Sequence, residues 1–157
     1  MATATERVQQ ALDAVGVTAE ISEFPQGTRT AQDAARAIGT TLGQIVKSLV
    51  FVADGRPVLV LASGSNRVDL AKLARLAGAA AVDRAAADIV REATGFAIGG
   101  VPPVGHSTPL DVFVDRDLLQ YEVVYAAAGT PTAIFPISPA DLVRITGGRT
   151  ADLGTSS

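Results

Sequence analysis

A short segment rich in glycine and proline constrains this chain more than any other part of it. From Thr94 to His106 the sequence is Thr-Gly-Phe-Ala-Ile-Gly-Gly-Val-Pro-Pro-Val-Gly-His, with four glycines and two prolines. Glycine lets the backbone approach a ligand closely, and proline fixes φ. The segment therefore predicts a rigid loop walled by main chain. Two interpretations stay open, a ligand-binding loop and a tight turn between strands.

Composition favours one soluble globular domain. The 157 residues are 48% hydrophobic and 18% charged, enough for a core and too apolar for disorder. We predict a single domain over residues 1–157, with 149–157 as a flexible tail. The absence of cysteine excludes disulfides and thiolate metal sites. A polar segment after Met1 and short apolar runs predict a cytoplasmic protein with no signal peptide and no membrane contact.

The net charge of −3 argues against a protein that holds long nucleic acid by charge alone. A local basic patch remains compatible with that charge. Arg67, Lys72 and Arg75 lie close together in the sequence and are its first candidates. Arg29 and Lys47 are candidates to join them.

Capping residues, glycine stops and β-rich runs predict an α+β fold with a mixed, mostly antiparallel sheet flanked by helices. Six helices are predicted to begin after Thr3, Thr30, Thr41, Asp69, Asp83 and Ser138. Strands are predicted over 48–53, 57–62, 79–82, 112–114, 122–127 and 132–137. Asp54-Gly55 and Gly129-Thr130-Pro131 are predicted hairpin turns.

Several residues are candidates for chemistry, each with a structural alternative. The N–H groups of Gly99, Gly100 and Val101 could stabilise a developing oxyanion. Lys47 lies where a predicted helical turn leads into an apolar strand. It could point into a pocket and bind a phosphate or a carbonyl, or its side chain could extend to the surface. His106 is a candidate general base or a polar loop residue. Asp141 is explained as a capping-box acid or as an anion for a substrate ammonium.

Four segments, taken in order, resemble the YbaK/ProX family of aminoacyl-tRNA deacylases, which is related to the editing domain of bacterial prolyl-tRNA synthetases. The segments are Thr28–Ala31, Gln44–Phe51, Ser63–Asp69 and Thr94–His106. The resemblance covers about residues 5–150. It implies a barrel-like mixed sheet and a freestanding enzyme that hydrolyses the ester of a mischarged small amino acid on tRNA.

The resemblance also implies roles for individual residues. Lys47 matches the functional lysine near the terminal nucleotide, and Gly99 to Pro103 matches the Gly-x-x-x-Pro substrate loop. Further substrate-binding candidates come from the matched positions: Phe24, Thr30, Ser63, Pro102, Pro103, His106, Gly129 and Asp141. Phe24 stands where cysteinyl-specific members carry tyrosine, and Ala127-Ala128-Gly129 where they carry Ser-Gly-Gly. The amino acid removed therefore stays open.

Two other functions remain compatible with these residues. One is a catalytically silent module that binds tRNA or a synthetase, because pocket residues serve binding as well as hydrolysis. The other is a protein that binds a small-molecule nucleotide. The predicted partners are the acceptor end of an aminoacyl-tRNA and an aminoacyl-tRNA synthetase. No metal and no cofactor are expected, since no ligand motif for either is present.

Overall fold

The computed structural model describes residues 2–24, 28 and 30–155. Within those residues it contains five α-helices and eight strands. The helices are α1 (Ala4–Ala14), α2 (Ala31–Ile38), α3 (Leu70–Ala77), α4 (Ala87–Thr94) and α5 (Pro139–Thr146). The strands are β1 (Ser22–Glu23), β2 (Val46–Ala53), β3 (Arg56–Ser63), β4 (Val82–Arg84), β5 (Asp111–Asp115), β6 (Val124–Ala127), β7 (Ala133–Ile137) and β8 (Arg149–Ala151). Two 3₁₀ turns cover Leu42–Gln44 and Arg116–Gln120.

The strands form two sheets. The larger sheet has the order β4-β2-β3-β5-β8, in which β2 pairs antiparallel with β3 and β4, whereas β5 pairs parallel with β3 and β8. The smaller sheet, β1-β7-β6, is antiparallel. A single parallel bridge between Ile45 and Tyr125 links them. The predicted α+β class and the mixed strand pairing are confirmed. The sheets do not close into a barrel, so the predicted barrel-like sheet is not confirmed.

Side-chain caps start most of the helices where the sequence predicts them. Thr3 and Glu6 form a complete capping box at α1. The Thr30 hydroxyl accepts from the Asp33 N–H at 3.0 Å, and the Asp69 carboxylate accepts from two amides of α3. Each cap satisfies N–H groups that the first turn leaves without partners, typically contributing about 1 kcal/mol. Local sequence therefore determines these boundaries.

The β2–β3 hairpin also forms where its turn signal predicts. Asp54 and Gly55 have φ of 48° and 85°, the left-handed pair that a two-residue turn between twisted strands requires. The Asp54 carboxylate accepts from the Ala80 and Ala81 amides, and these hydrogen bonds lower its pKa. The turn is thereby tied to the segment that leads into β4.

Two predictions about elements are wrong. Asp83 lies in β4 rather than opening a helix; α4 begins at Ala87, and its N-cap Ala86 makes no side-chain cap. Pairing of Phe51–Ala53 with Val82–Arg84 outcompetes the local capping signal. Residues 149–155 are not a loose tail, because β8 pairs with β5 and the side chain of Leu153 is fully buried. Ser156 and Ser157 lie outside the described residues.

The larger sheet separates two apolar clusters. Successive residues of a strand face opposite sides, so Val46 and Val50 join the main core, while Phe51 and Ala53 join the cluster against α3. The main core also holds Phe96 and residues of α1, α4, α5 and the smaller sheet. No helix in the described part of the chain has the length and apolar character to cross a membrane.

One edge of β2 is left uncovered, and this positions the site. β4 pairs with β2 only at Phe51–Ala53, and the Ala85 N–H then donates to the Val50 carbonyl at 3.1 Å. Because alternate residues of a strand direct their amides to the same edge, the Ser48 N–H and C=O point to that edge too. Among the described residues no strand pairs with this edge over residues 46–49.

Candidate functional site

A cavity of about 210 Å³ opens beside the uncovered edge of β2. The β2 edge forms one wall, and β6, β7 and α2 form the others. Its lining combines a lysine, several hydroxyls and small apolar side chains: Thr28, Thr30, Ala31, Ala34, Ile45, Val46, Lys47, Ser48, Leu49, Gly99, Tyr125, Ala126, Ala127, Pro131, Ala133 and Ile134. We call this the edge cavity. It brings together Lys47, Gly99 and Thr30 from three distant parts of the sequence.

The Lys47 side chain is half-buried and held in place by a loop carbonyl. Its Nζ donates to the main-chain oxygen of Asn66. Burial lowers the pKa of Lys47, the Asp115 carboxylate raises it, and Arg84 and Arg67 lower it further. The net direction is below the ordinary value. The ammonium is thus less stable than that of a surface lysine. An ammonium has three N–H donors, so the contact with Asn66 leaves Nζ able to bind an anionic or carbonyl ligand as well.

A buried carboxylate organises the loop that holds Lys47. Asp115, at the end of β5, is 1% exposed. Its Oδ2 accepts from the Ser63 N–H at 3.0 Å and from the Asn66 amide at 2.8 Å, and its Oδ1 accepts from the Asp117 N–H at 3.0 Å. Asn66 also donates to Asp117 Oδ2 at 2.7 Å. Asp115 therefore fixes residues 63–66, and through Asn66 the position of the lysine.

The glycine-rich loop contributes Gly99 to the edge cavity, with φ of 90°. Gly100 has a different role from the predicted one, because its N–H donates to the Ala97 carbonyl at 3.0 Å and is not free for an oxyanion. A Cβ on Gly100 would lie 2.7 Å from the Thr130 backbone, so glycine is required for close packing. Val101 is 1% exposed and packs in the main core.

His106 braces the same loop from behind. Its Nε2 lies 2.6 Å from the Pro102 carbonyl. A carbonyl only accepts, so the ring must donate from Nε2. Burial lowers the pKa of His106, which favours the neutral ring. His106 and Pro103 line a second cavity, against α1, and not the edge cavity. His106 is thus placed to support the loop rather than to act as a base at the edge cavity.

Pro102, whose carbonyl accepts from His106, does not line the edge cavity, and neither do four other predicted substrate-binding residues. Ser63 is buried and donates to the Gly43 carbonyl at 2.7 Å. Phe24 packs against the cluster beneath α2. Gly129, with φ of 101°, lies so close to Ala4 that a Cβ would be 2.9 Å from its carbonyl. Each of these three has a structural explanation.

Asp141 is the fourth. Its backbone N–H donates to Ser138 Oγ at 3.1 Å, which is one half of the expected capping box. Its carboxylate accepts instead from Arg144 at 3.1 Å, and Arg144 also donates to the Val15 carbonyl. The Arg144 bond to Val15 ties α5 to the end of α1, and the i, i+3 pair with Asp141 holds the arginine in place.

The predicted basic patch is only partly assembled. Lys72 is engaged by Asp152 at 2.9 Å and by the Gly154 carbonyl. Arg75 lines a separate cavity near the end of α5. Arg67 is exposed and close enough to lower the pKa of Lys47. Arg29 lies outside the described residues.

Sequence analysis did not single out three polar residues of the edge cavity. Thr28 is buried and donates to the Pro131 carbonyl at 2.8 Å. Tyr125 lies on β6, opposite the free edge. Ser48 is the only hydroxyl in β2, next to Lys47 in a strand whose other residues are apolar, and that pattern was a usable signal. In the described part of the chain, no group of three or more His, Cys, Asp or Glu side chains is arranged to hold a metal ion.

Comparison with known proteins agrees with this geometry. The family model described as "Aminoacyl-tRNA editing domain" matches residues 25–145. A crystal structure of a "putative trans-editing enzyme for prolyl tRNA synthetase" is 50% identical, with a TM-score of 0.94, over 99% of both chains.

Two curated relatives extend the comparison. The "Putative Cys-tRNA(Pro)/Cys-tRNA(Cys) deacylase EbsC" of Enterococcus faecalis is 27% identical over 80% of this chain and 77% of its own. The proline–tRNA ligase of Nitratidesulfovibrio vulgaris DP4 is 35% identical over 64% of this chain, which corresponds to 18% of the ligase. This chain therefore belongs to the family of aminoacyl-tRNA editing domains.

Proposed function

We propose that this protein hydrolyses the ester joining a small, mischarged amino acid to the 3′-terminal adenosine of a tRNA. One observation carries the proposal: Lys47 and Gly99 line a single cavity beside an unpaired strand edge, in a chain of the aminoacyl-tRNA editing family. The proposed partners are the acceptor end of the tRNA and, for delivery of substrate, an aminoacyl-tRNA synthetase.

The chemistry needs few specialised side chains. Water attacks the ester carbonyl, the bond to the ribose oxygen breaks, and the water proton passes to that oxygen. An aminoacyl ester is already activated, so holding its carbonyl and stabilising the oxyanion are the main requirements. Ser48 and Gly99 line the cavity, and their main-chain amides are the proposed oxyanion donors. The Lys47 ammonium is proposed to hold the terminal nucleotide.

The cavity walls support selection of a small amino acid. Ala126, Ala127 and Ala133 leave room for a substrate, and the cavity holds about 210 Å³. Each additional methylene that fails to fit typically costs about 1–3 kcal/mol of transition-state binding. Such discrimination is modest, so we expect graded rates across amino acids rather than an absolute cut-off.

A panel of tRNAs mischarged with alanine, serine, cysteine, threonine and larger residues tests the proposal. We expect hydrolysis of one or more small aminoacyl esters and a loss of at least about 100-fold in Lys47→Ala, since the cation proposed to hold the terminal nucleotide is lost. Lys72→Ala is the matched control, because that lysine is engaged by Asp152 away from the cavity. A wild-type protein inert on the whole panel would contradict the proposal and favour a silent binding module.

A further inference from the structure

Arg75, a predicted member of the basic patch, lies with two other arginines away from the edge cavity. Arg75 is in the last turn of α3, and it lines an open cavity of about 590 Å³ together with Arg56 and Arg149. We call this space the arginine cavity. Among the described residues, Asp111 is the one carboxylate in its lining. Three guanidinium groups around one carboxylate are a local concentration of positive charge in a chain whose net charge is −3.

Two of the three guanidinium groups are held in place by the carboxyl end of α3. Arg56 Nη2 donates to the Ala77 carbonyl, and Arg149 Nη2 donates to the Leu76 carbonyl. The Arg149 guanidinium also lies over the Phe113 ring, 4.9 Å from its centroid. Each carbonyl uses one of the five N–H donors of a guanidinium. The other donors are oriented in advance, which lowers the entropic cost of binding an anion.

The charge of the arginine cavity is largely uncompensated. The Asp111 carboxylate lies 3.7 Å from Arg56 Nε, and the two side chains are 67% and 48% exposed. An exposed ion pair at that distance is weak and screened by salt. The Arg75 side chain is exposed and forms no ion pair with any residue that the structure describes. Positive charge therefore remains available to an anionic ligand.

The arginine cavity and Lys47 lie toward opposite ends of the β2–β3 hairpin, on one face of the larger sheet. Ala62, directly opposite Lys47, packs in the cluster against α3, and the Arg56 guanidinium bonds α3 itself. Arg56 precedes Ala62 by six residues of β3, so at about 3.4 Å per residue the two positions are about 20 Å apart. The Debye length at physiological salt is about 8 Å. The arginine cavity is therefore electrostatically separate from Lys47.

We propose that the arginine cavity binds the phosphodiester backbone of the tRNA acceptor stem, as a second contact remote from the edge cavity. The proposal rests on the proposed function and adds a binding site to it. Arginine presents a planar set of donors that matches phosphate oxygens. Phosphates of a duplex strand recur about every 3.4 Å along the helix axis, so an RNA whose end lies at Lys47 carries further phosphates at this range.

A free phosphate fits the arginine cavity less well than an RNA backbone does. Free phosphates are typically held by backbone N–H groups at helix N-termini or in amide nests. The two helices that reach this cavity, α3 and α5, do so with their C-terminal ends, which present carbonyls. Arginine side chains around an open cavity are typical of a surface that contacts a nucleic-acid backbone.

The test measures the binding of full-length uncharged tRNA to Arg75→Ala and Arg91→Ala between about 50 and about 200 mM salt. Arg91 is the matched control, because it is also an exposed arginine in the last turn of an eight-residue helix, but lies outside the arginine cavity. Both variants lose one positive charge. We expect Arg75→Ala to bind about three- to tenfold more weakly than Arg91→Ala, with a slope of log affinity against log salt that is shallower by about one. Equal affinities and equal slopes in the two variants would overturn the proposal.

A ligand without phosphate separates the arginine cavity from the edge cavity. Arg75→Ala should bind 3′-alanylamino-3′-deoxyadenosine with the wild-type affinity, since that ligand has no backbone to reach the arginines. A loss as large as that on tRNA would place the effect in the edge cavity and refute a backbone contact. Inorganic phosphate is titrated too, with the NMR signal of the Arg75 side chain as readout. A saturable shift combined with equal tRNA binding by the two variants would assign the cavity to free phosphate instead.

This inference and the proposed function fail in different ways. Uncharged tRNA carries no ester, so weaker binding by Arg75→Ala than by Arg91→Ala supports the contact even in a protein that hydrolyses no mischarged tRNA. Equal tRNA binding by the two variants of an active enzyme removes the arginine contact and leaves the proposed hydrolysis standing.

Discussion

Asp115 is predicted both to stabilise the fold and to raise the pKa of Lys47. Asp115→Ala removes one acceptor from three N–H donors, at 3.0, 2.8 and 3.0 Å. The Asn66 amide keeps Asp117 as an acceptor, and the Asp117 N–H is near solvent, so mainly the Ser63 N–H is left buried and unpaired. Hydrogen bonds to a charged group contribute about 1.5–3 kcal/mol each. We expect a loss of about 3 kcal/mol in the free energy of unfolding.

Urea denaturation measures this loss. A typical domain has about 5–15 kcal/mol of stability, so Asp115→Ala should still fold, with a lower midpoint and an unchanged m-value. Asp117→Ala is the matched control, because Asp117 contacts the same amide but is exposed. Its cost should stay under about 1 kcal/mol. If the two variants lose equal stability, Asp115 does not organise the 63–66 loop.

The second readout of the same site is the Lys47 pKa. Asp115 raises that pKa against the opposing effects of burial, Arg84 and Arg67. The near-isosteric Asp115→Asn removes the negative charge, so the Lys47 pKa should fall further below its ordinary value. An NMR titration of the Lys47 side chain follows the change directly. An unchanged or raised pKa would refute the electrostatic link between the buried carboxylate and the lysine.

Three further predictions concern the loop and the C-terminal segment. Gly100→Ala should cost about 1–3 kcal/mol in thermal unfolding, because its Cβ would lie 2.7 Å from the Thr130 backbone; a neutral effect would show that the loop yields. Burial lowers the His106 pKa, so the neutral histidine contributes its full stability to the fold above pH 6.5, and this contribution declines as the pH falls below that value. His106→Gln keeps a donor for Pro102 and does not titrate, so its Tm should drop less than wild type between pH 7.5 and 5.5, where the histidine contributes up to about 1 kcal/mol. Parallel curves would show that burial of His106 does not favour the neutral ring. Leu153→Ala should destabilise the protein by about 2–5 kcal/mol, as expected for a fully buried leucine, whereas an effect near zero in urea denaturation would restore the loose-tail prediction.

Much of the fold follows from short-range signals. Thr3, Thr30, Asp69 and Ser138 cap helices as predicted, and Asp54-Gly55 closes the hairpin. These features depend on residues a few positions apart, so sequence alone is sufficient. Asp83 and the 149–155 segment were mispredicted because strand pairing with distant residues decided them.

The site divides in the same way. Residue types and spacing singled out Lys47 and the glycine loop, because a lysine before an apolar strand and clustered glycines are local patterns. Only the tertiary structure placed Lys47 and Gly99 on one cavity, brought Arg144 against the Val15 carbonyl, and left Ser48 Oγ without a partner among the described residues. Which amides are free and which hydroxyls are satisfied depends on how sheets and loops meet, and those long-range contacts are not encoded in the spacing of neighbouring residues.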